Sequence, residues 1–376
     1  MREGFSFEVI AKSGDARRGR FKTPRATIET PVFMPVGTQA TVKTQTPDEV
    51  ESTGARIILA NTYHLWLRPG AELVDRLGGA PRFMGWDHAM LTDSGGFQIF
   101  SLAKLRKIED EGVSFRSHLD GRKLLMTPEE SMRVQRLLRS DVAMLLDICP
   151  PGASPEAEIR EAIRITNLWA DRCLKTEPYE GQARFGIVQG GTYEHLRLEH
   201  LDHIAALPVD GVALGGFSVG EPVERMYELL DVIGPKMPND RPRYLMGVGT
   251  PIDLIVAMGA GIDLFDCVLP TRNARNGQAL TFKGRVNLKQ ARHVEDESPI
   301  EEGCECGACR KHSRAYLRHL MKAGEQLGGR LLTQHNLHFY GELTRRAREA
   351  IEAGDYASWA KRAIDAMREG DEIASR

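Results

Sequence analysis

The sequence predicts an α/β fold, a (β/α)8 TIM barrel with an N-terminal antiparallel sheet and a cysteine-rich insertion near the C-terminus. Short apolar runs recur along the chain, and helix-start signals separate them. Because strands that alternate with helices form parallel sheets, eight such units suggest a closed barrel, with a doubly wound open sheet as the structural alternative. The candidate strands are residues 56–60, 89–92, 142–146, 185–188, 211–214, 244–246, 262–265 and 331–333.

The predicted helix starts share a pattern of threonine, proline and an acid. Segments beginning at Thr46, Thr127 and Thr250 place a hydroxyl at the N-cap, proline at the first helical position and a carboxylate soon after it. Ser154 begins a looser version, and the helix after it carries an apolar stripe that includes Cys173. These starts fall between the candidate strands, as a barrel requires.

The two ends of the chain depart from this alternation. Residues 5–36 alternate apolar and polar side chains in short pieces and predict a small antiparallel sheet, whereas the stretch from Gly341 onward predicts terminal helices. Since no repeat or long linker divides the chain, we expect one domain over residues 1–376. It would include a small sheet at about 1–36, a subdomain at about 278–335 and terminal helices at about 336–376.

Polar residues and glycines follow directly on the apolar strand runs. In a barrel, reactive groups lie at the C-terminal ends of the strands, so residues from different strands would line one pocket. The residues placed in this way are Asn61, Asp93, Asp147, Gln189, Gly215, Gly216, Gly247 and Asp266.

Asp266 ends a short strand and is followed by a polar, cationic loop that contains Arg272 and Arg275. A carboxylate beside a loop suited to phosphates or base edges is a candidate reaction site. The alternative is an aspartate that only caps the next turn.

Charge is unevenly distributed, although the formal net charge is only -2. No acidic residue occurs between Thr271 and Val294, a stretch that carries six lysines and arginines. Such a stretch is either a solvated face or a surface for a polyanion, and its position beside the candidate site favours the polyanion. The N-terminus has no apolar signal run, and no uncharged span is long enough to cross a bilayer, so we expect a cytoplasmic protein with no membrane contact.

Three of the six cysteines lie within the motif Cys304-x-Cys306-x-x-Cys309. Three thiolates and one histidine would form a closed tetrahedral site for a structural zinc ion. A redox role is the alternative. The candidate histidines are His312, His319, His335 and His338.

Six segments, in this order along the chain, resemble those of the bacterial tRNA-guanine transglycosylases, also called queuine tRNA-ribosyltransferases. They are residues 92–98, 188–191, 214–221, 244–249, 265–272 and the Cys304–Cys309 motif. The resemblance covers nearly the whole chain, which it identifies as a single (β/α)8 catalytic domain. It also selects His335 as the fourth ligand, implying one structural Zn2+ per subunit in a zinc-binding subdomain, and it implies a homodimer.

The resemblance implies a pentosyltransferase of queuosine biosynthesis that exchanges guanine at the wobble position (34) of G-U-N anticodons for preQ1, with no organic cofactor. Double displacement needs one carboxylate to attack the sugar and another group to manage protons. Asp266 would attack C1′ of the ribose and form a covalent tRNA intermediate, and Asp93 would be the general acid/base. The alternative for Asp93 is an Asx-turn before Gly95.

The expected base pocket can be argued from donors and acceptors. Asp147 offers two acceptors for the N1–H and amine of a guanine-like base, Gln189 can donate and accept, and Gly216 offers a backbone N–H at close approach. Phe97 and Met246 are expected to stack on the base, with core packing as the alternative.

In the resembled family, a carbonyl at the position of Phe217 and an acid at the position of Glu221 help to recognise the aminomethyl group of preQ1. Cys149 and Val219 would size the pocket for preQ1 and exclude the bulkier queuine.

The expected RNA partner is the anticodon loop of tRNA. Arg272 and Arg275 would reach the nucleotide after the wobble base, and Lys283, Arg285 and Lys289 would meet the backbone. Competing interpretations are a non-catalytic, zinc-bearing tRNA-binding subunit and an ordinary barrel glycosidase. The presence of both Asp93 and Asp266 argues against the first, and the glycosidase gives the basic stretches and cysteines no role.

Overall fold

The computed structural model describes residues 4–102 and 106–375. Its strands are β1 (Ser6–Ser13), β2 (Ala16–Lys22), β3 (Thr27–Thr30), β4 (Val32–Met34), β5 (Ile57–Ala60), β6 (Ala89–Thr92), β7 (Arg106–Glu109), β8 (Gly112–Arg116), β9 (Lys123–Met126), β10 (Val142–Met144), β11 (Ala183–Val188), β12 (Gly211–Leu214), β13 (Arg243–Leu245), β14 (Leu264–Asp266), β15 (Gln278–Thr281) and β16 (Gly284–Asn287).

The helices are α1 (Pro47–Ser52), α2 (Thr62–Leu67), α3 (Ala71–Arg76), α4 (Gly79–Met84), α5 (Gly96–Leu102), α6 (Pro128–Leu138), α7 (Glu156–Lys175), α8 (Glu194–Ala206), α9 (Val223–Ile233), α10 (Pro251–Gly259), α11 (Leu269–Arg275), α12 (Gly307–Lys311), α13 (Arg314–Ala323), α14 (Gln326–Glu352) and α15 (Tyr356–Ser375). Short 3-10 turns lie at Gly234–Lys236 and Ala291–His293.

A parallel barrel forms the centre of the described chain. Its strands follow one another around the barrel in chain order, from β4, β5 and β6 through β10, β11, β12, β13 and β14. β14 pairs with β4, and a parallel bridge between Val36 and Leu59 joins the end of β4 to β5. The Gly37 N–H donates to the Leu59 carbonyl at 2.6 Å beside that bridge. The predicted (β/α)8 architecture and its N-terminal antiparallel sheet are therefore confirmed.

One predicted strand is wrong. Residues 331–333 lie inside the long helix α14, because a three-residue apolar run fits either a strand or a helix turn. The strand that completes the barrel is β4, which the sequence had placed in the small sheet. The cysteine-rich segment therefore follows the last barrel strand and does not connect two strands. The proposed division into subdomains stays a prediction, and α14 crosses its boundary between residues 335 and 336.

The antiparallel sheet of β1, β2 and β3 packs against the barrel interior. Phe21 lies 6.1 Å, between ring centroids, from Phe185 of β11. Arg17 of β2 donates from Nε to Asp263, one residue before β14, at 3.0 Å, and both side chains are buried. Asp263 precedes its strand, so this sheet covers the end of the barrel opposite the strand C-termini.

Three of the four predicted helix starts have their predicted caps, whereas the looser one at Ser154 does not, because α7 has Pro155 at its N-cap and no side-chain cap. The hydroxyls of Thr46, Thr127 and Thr250 accept hydrogen bonds from backbone N–H groups three residues later, at 3.3, 3.1 and 3.2 Å. Cys173 is buried on α7, as expected. The antiparallel sheet of β7, β8 and β9, inserted between β6 and α6, was not predicted from the sequence.

Candidate active site

The strand ends bring chemically active side chains to one end of the barrel. Asp266 is the last residue of β14, Asp93 follows β6, Gln189 follows β11 and Gly215 follows β12. Asp147 comes three residues after β10. Because parallel strands place their C-termini at the same mouth, these residues border one site.

Asp266 has two different oxygen environments. Its Oδ1 accepts hydrogen bonds from the Tyr244 hydroxyl at 2.6 Å and from the Gly247 backbone N–H at 2.8 Å. No described residue hydrogen-bonds to Oδ2, and the side chain is half-buried. Burial raises the pKa of Asp266 against the opposing effect of these two donors. One oxygen is thus fixed, and the other is left to react.

Asp93 is buried among donors. Its Oδ1 accepts from the Thr62 backbone N–H at 2.8 Å, and its Oδ2 accepts from Gln98 Nε2 at 2.7 Å and from the Asn61 amide. Burial raises the pKa of Asp93 to about 6, and the negative charge of Asp266 adds to that rise. A carboxyl with this pKa can give and take a proton near neutral pH.

Asp147 and Gln189 form a polar edge near Asp93. Asp147 accepts from Ser94 Oγ at 2.9 Å and from Gln189 Nε2 at 2.7 Å. Burial raises the pKa of Asp147 to about 6. The Oε1 atom of Gln189 is buried and has no partner among the described residues. An acceptor pair beside an unused amide oxygen can bind the donor edge of a heterocycle.

Glycine is needed at the end of β12. A Cβ atom on Gly215 would lie 2.6 Å from Gln189 Nε2, and one on Gly216 would lie 2.5 Å from Gln189 Oε1. Gly216 also has a φ of +66°. Only glycine lets this backbone approach Gln189 so closely.

The two expected stacking residues differ in exposure. Phe97, in the first turn of α5, is 50% exposed, and Met246, directly after β13, is half-buried against the barrel interior. The exposure of the Phe97 ring is not what core packing would give, and the ring can receive a planar ligand.

A short turn holds the other expected specificity residues. Phe217 is buried, and Glu221 accepts hydrogen bonds from the backbone N–H groups of Ser218 and Val219, the latter at 3.0 Å. Cys149 lies near this turn, and burial raises the pKa of its thiol to about 12, so it stays protonated.

The predicted RNA-contacting residues lie on α11 and on the β15–β16 hairpin with the loop after it. Arg272 is exposed, and Arg275 is half-buried. Lys283 and Lys289 are exposed. Arg285 is also exposed but pairs with Asp371 of α15 at 2.9 Å, so part of its charge is already matched.

The three thiols of the cysteine motif and the imidazole of His335 come together in one cluster. The Sγ atoms of Cys304, Cys306 and Cys309 lie 3.7, 3.5 and 3.3 Å from His335 Nδ1. All four ligand atoms lie within 4.8 Å of one another, and His335 Nε2 contacts the Leu280 carbonyl at 2.9 Å. That carbonyl leaves Nδ1 to face the sulfurs, so the group fits a tetrahedral metal ion.

The same helix connects this cluster to the segment after Asp266. Asn336, next to His335, donates to the Pro270 carbonyl at 2.9 Å and accepts from the Leu280 N–H at 2.9 Å. Pro270 lies in α11, four residues after Asp266. The metal-ligand cluster and α11 therefore share one structural support.

Comparisons with known proteins identify the family of this chain. The family described as queuine tRNA-ribosyltransferase matches residues 12–369. A queuine tRNA-ribosyltransferase of Sorangium cellulosum is 59% identical, over 98% of this chain and 93% of that protein. The one of Dinoroseobacter shibae is 51% identical, over 99% of this chain and 99% of that protein. The one of Solidesulfovibrio magneticus is 54% identical, over 94% of this chain and 95% of that protein.

The chain belongs to the queuine tRNA-ribosyltransferase family. Family membership confirms the expectation of a transferase of the pentosyltransferase class. In the described part of the chain, no helix has the length and apolar character needed to span a membrane.

The structure adds residues to this family member's site that the sequence did not single out. Tyr244 was expected only as a strand residue, and Gln98 only as part of a motif, yet both bind the candidate catalytic carboxylates. Arg197 of α8 is a further residue of the site that the sequence did not indicate. Its buried guanidinium group donates to the carbonyls of Gly191, Gly215 and Gly216, next to the polar edge.

Proposed function

We propose that this protein is a tRNA-guanine transglycosylase that exchanges guanine at the wobble position of G-U-N anticodons for preQ1 through a covalent Asp266–ribose intermediate. The observation that carries the proposal is that the site holds two carboxyl groups, those of Asp266 and Asp93, in different environments. Asp266 keeps one oxygen without a partner among the described residues, and nearby Asp93 has a pKa of about 6. Such a pair suits double displacement, in which nucleophile and proton carrier are separate groups.

In the first step, Oδ2 of Asp266 forms a bond to C1′ of the ribose as the bond between C1′ and N9 of guanine breaks. Protonated Asp93 gives its proton to the departing base. The ester carbonyl that results is Oδ1, which keeps the hydrogen bonds from Tyr244 and Gly247. When the ester bond breaks again, these donors stabilise the negative charge that returns to the Asp266 carboxylate.

In the second step, Asp93, now ionised, takes the N9 proton of preQ1. N9 forms the new bond to C1′, and the bond between C1′ and Asp266 breaks. Because each displacement attacks C1′ from the face opposite the departing group, the configuration is inverted twice and the anomeric configuration is retained. Asp266 and Asp93 return to their starting protonation states.

Base selection would rest on the polar edge described above. Ionised Asp147 accepts from the N1–H and exocyclic amine of guanine or preQ1, and Gln189 and the Gly216 N–H contact the remaining polar atoms. Phe97 and Met246 stack on the two faces of the base. The Phe217 carbonyl and Glu221 bind the aminomethyl ammonium of preQ1, and Cys149 with Val219 limits the room beyond it.

We place the anticodon loop over Asp266 and the cationic residues that follow it. Arg272 and Arg275 reach the next nucleotide, while Lys283, Arg285 and Lys289 meet phosphates. The Cys3His group holds one Zn2+ per subunit, and all four of its positions are taken by protein, so the ion supports the fold and leaves no site for water. The enzyme acts as a homodimer.

Labelled guanine exchange tests the proposal. The wild-type protein should incorporate the label into a tRNA with a G-U-N anticodon and lose it again to preQ1, and it should not label the same tRNA with adenosine at the wobble position. Binding of tRNA without exchange would support the non-catalytic subunit instead. Incorporation of queuine as efficiently as preQ1 would refute the pocket size assigned to Val219, and Val219→Gly should shift that preference toward queuine.

A further inference from the structure

Arg197 is a buried cation that forms no ion pair with the described residues, although the charge of Glu221 acts on it. Its side chain is fully buried on α8, and no carboxylate of the described residues forms an ion pair with it. Its nitrogens instead donate to three backbone carbonyls: Nε to Gly191 at 2.7 Å, Nη1 to Gly215 at 2.9 Å and Nη2 to Gly216 at 2.9 Å. Burying a charge costs free energy unless hydrogen bonds replace those that the group loses to water.

The surroundings of Arg197 are shaped to hold it. The guanidinium carbon lies 3.7 Å from the centroid of the Phe217 ring, a cation–π contact. A Cβ atom on Gly190 would lie 2.4 Å from Cγ of Arg197, so glycine there makes room for the side chain. Burial lowers the pKa of Arg197 to about 9, which still leaves it charged at neutral pH.

The contacts of Arg197 determine where two backbone N–H groups point. In a planar trans peptide the N–H lies opposite the carbonyl of the preceding residue. Because Arg197 binds the carbonyls of Gly215 and Gly216, the N–H groups of Gly216 and Phe217 are turned away from it. The Gly216 peptide lies beside the polar edge, since a Cβ atom on Gly216 would lie 2.5 Å from Gln189 Oε1 and Gln189 in turn donates to Asp147.

We infer that Arg197 is a positioning residue for base recognition: it clamps two successive peptides at the end of β12 so that the Gly216 N–H is presented to the 6-oxo group of a guanine-like base. This inference rests on the proposed function, since it assumes that the pocket binds such a base. Arg197 itself touches no reacting atom. Its contact with Gly191 also joins the loop after Gln189 to the same clamp.

The test compares guanine with 6-thioguanine, which differs only at the atom that the Gly216 N–H would contact. Their inhibition constants are measured in the labelled exchange assay for the wild type and for Arg197→Lys, which keeps the charge and loses the forked contacts. The wild type should prefer guanine, and Arg197→Lys should reduce that preference by about tenfold, the effect of one hydrogen bond. An unchanged preference, with both bases weakened alike or neither weakened, would overturn the inference.

Arg225→Lys is the matched control. Arg225 of α9 also donates to a carbonyl of the loop after Gln189, that of Thr192 at 3.0 Å, but it forms no hydrogen bond with Gly215 or Gly216. It should leave the preference between the two bases unchanged; an equal loss in Arg225→Lys would show that loop rigidity alone sets the preference and would refute the clamp.

A second measurement needs no variant and so does not depend on Arg197→Lys folding. In the wild type, guanine should slow backbone hydrogen exchange in the segment 214–218, and exchange there should stay unslowed if the N–H groups point elsewhere. The two levels of failure remain distinct. A wild type that exchanges no guanine refutes the proposed function, whereas normal exchange with an unaltered preference in Arg197→Lys refutes only the role of Arg197.

Discussion

The Tyr244 hydroxyl donates a 2.6 Å hydrogen bond to the same Asp266 oxygen that accepts the Gly247 N–H at 2.8 Å. Burial and the charge of Asp266 raise the pKa of Tyr244 well above its usual value, so the phenol remains a donor. This bond orients the carboxylate that we propose as the nucleophile, and in the proposed intermediate it would polarise the ester carbonyl so that Asp266 can leave again.

Tyr244→Phe should therefore lower kcat for guanine exchange by about 10- to 100-fold, the usual effect of losing a donor to a charged group, with little change in the KM for the base. Steady-state kinetics with saturating tRNA measure both. Tyr227→Phe is the control, because it removes a Tyr–Asp hydrogen bond of 2.7 Å between α9 and α10. Equal losses of kcat in both variants would contradict a specific role for Tyr244.

Base affinity should depend on pH through Asp147. Its pKa is raised to about 6, and only the ionised form offers both acceptors. Affinity should thus be fully present above that pKa and fall by about tenfold for each pH unit below it. The affinity for guanine is measured by equilibrium binding from about pH 5 to about pH 8. Without tRNA no base is exchanged, so the proton transfer by Asp93 during turnover does not contribute. Asp147→Asn should bind weakly with no such slope, and a flat wild-type profile would exclude Asp147 as the acceptor.

Loss of a metal ligand should affect both stability and RNA binding. Cys306→Ala leaves three ligands, and the helix that carries His335 also holds α11 through Asn336. We expect less than one equivalent of zinc, a lower Tm and weaker tRNA binding. Metal analysis and thermal melting give the answer. Cys173 is a buried cysteine of α7 outside the cluster, so the control variant Cys173→Ala should keep its zinc. A full equivalent of zinc and an unchanged Tm in Cys306→Ala would refute the assignment of Cys306 as a zinc ligand.

The cationic residues should divide into two kinds. Arg272→Ala should lose about tenfold in discrimination at the nucleotide after the wobble base, whereas Lys289→Ala should weaken all tRNAs alike and reduce the slope of log affinity against log salt by about one. Binding to anticodon loops that differ only at that nucleotide, over a salt series, separates the two. If Arg272→Ala keeps the wild-type preference ratio, the residue only organises α11.

The barrel, and the positions of Asp93 and Asp266 at the ends of its strands, could be predicted because their signals are local. Apolar runs ending in Asp93 and Asp266, and helices begun by threonine and proline, need no tertiary information. The barrel strand at Val32–Met34 could not be placed, since it is short and the strand it pairs with, β14, is distant in sequence. The run at residues 331–333 is equally compatible with a strand, and only packing makes it helical.

The residues missed in the site share one property: their role depends on what faces them. Tyr244 lies in an apolar strand, where a tyrosine usually indicates core packing, and its hydroxyl acquires meaning only from Asp266. Arg197 lies on a helix whose sequence has little amphipathic pattern, so nothing local marks it as buried. The carbonyls it binds come from two other strand ends. Such contacts are set by the barrel and not by neighbouring sequence.

The covalent intermediate is the central claim, and trapping it is the most direct test. Wild-type protein mixed with a G-U-N tRNA and quenched in denaturing detergent should give a band of protein and tRNA combined on a denaturing gel, which disappears after preQ1 is added. Asp93→Asn should still bind tRNA but turn over slowly, and it serves as the carboxylate control. Asp266→Asn should bind tRNA and give no such band. A band of wild-type intensity from Asp266→Asn, with guanine exchange near the wild-type rate, would contradict the account.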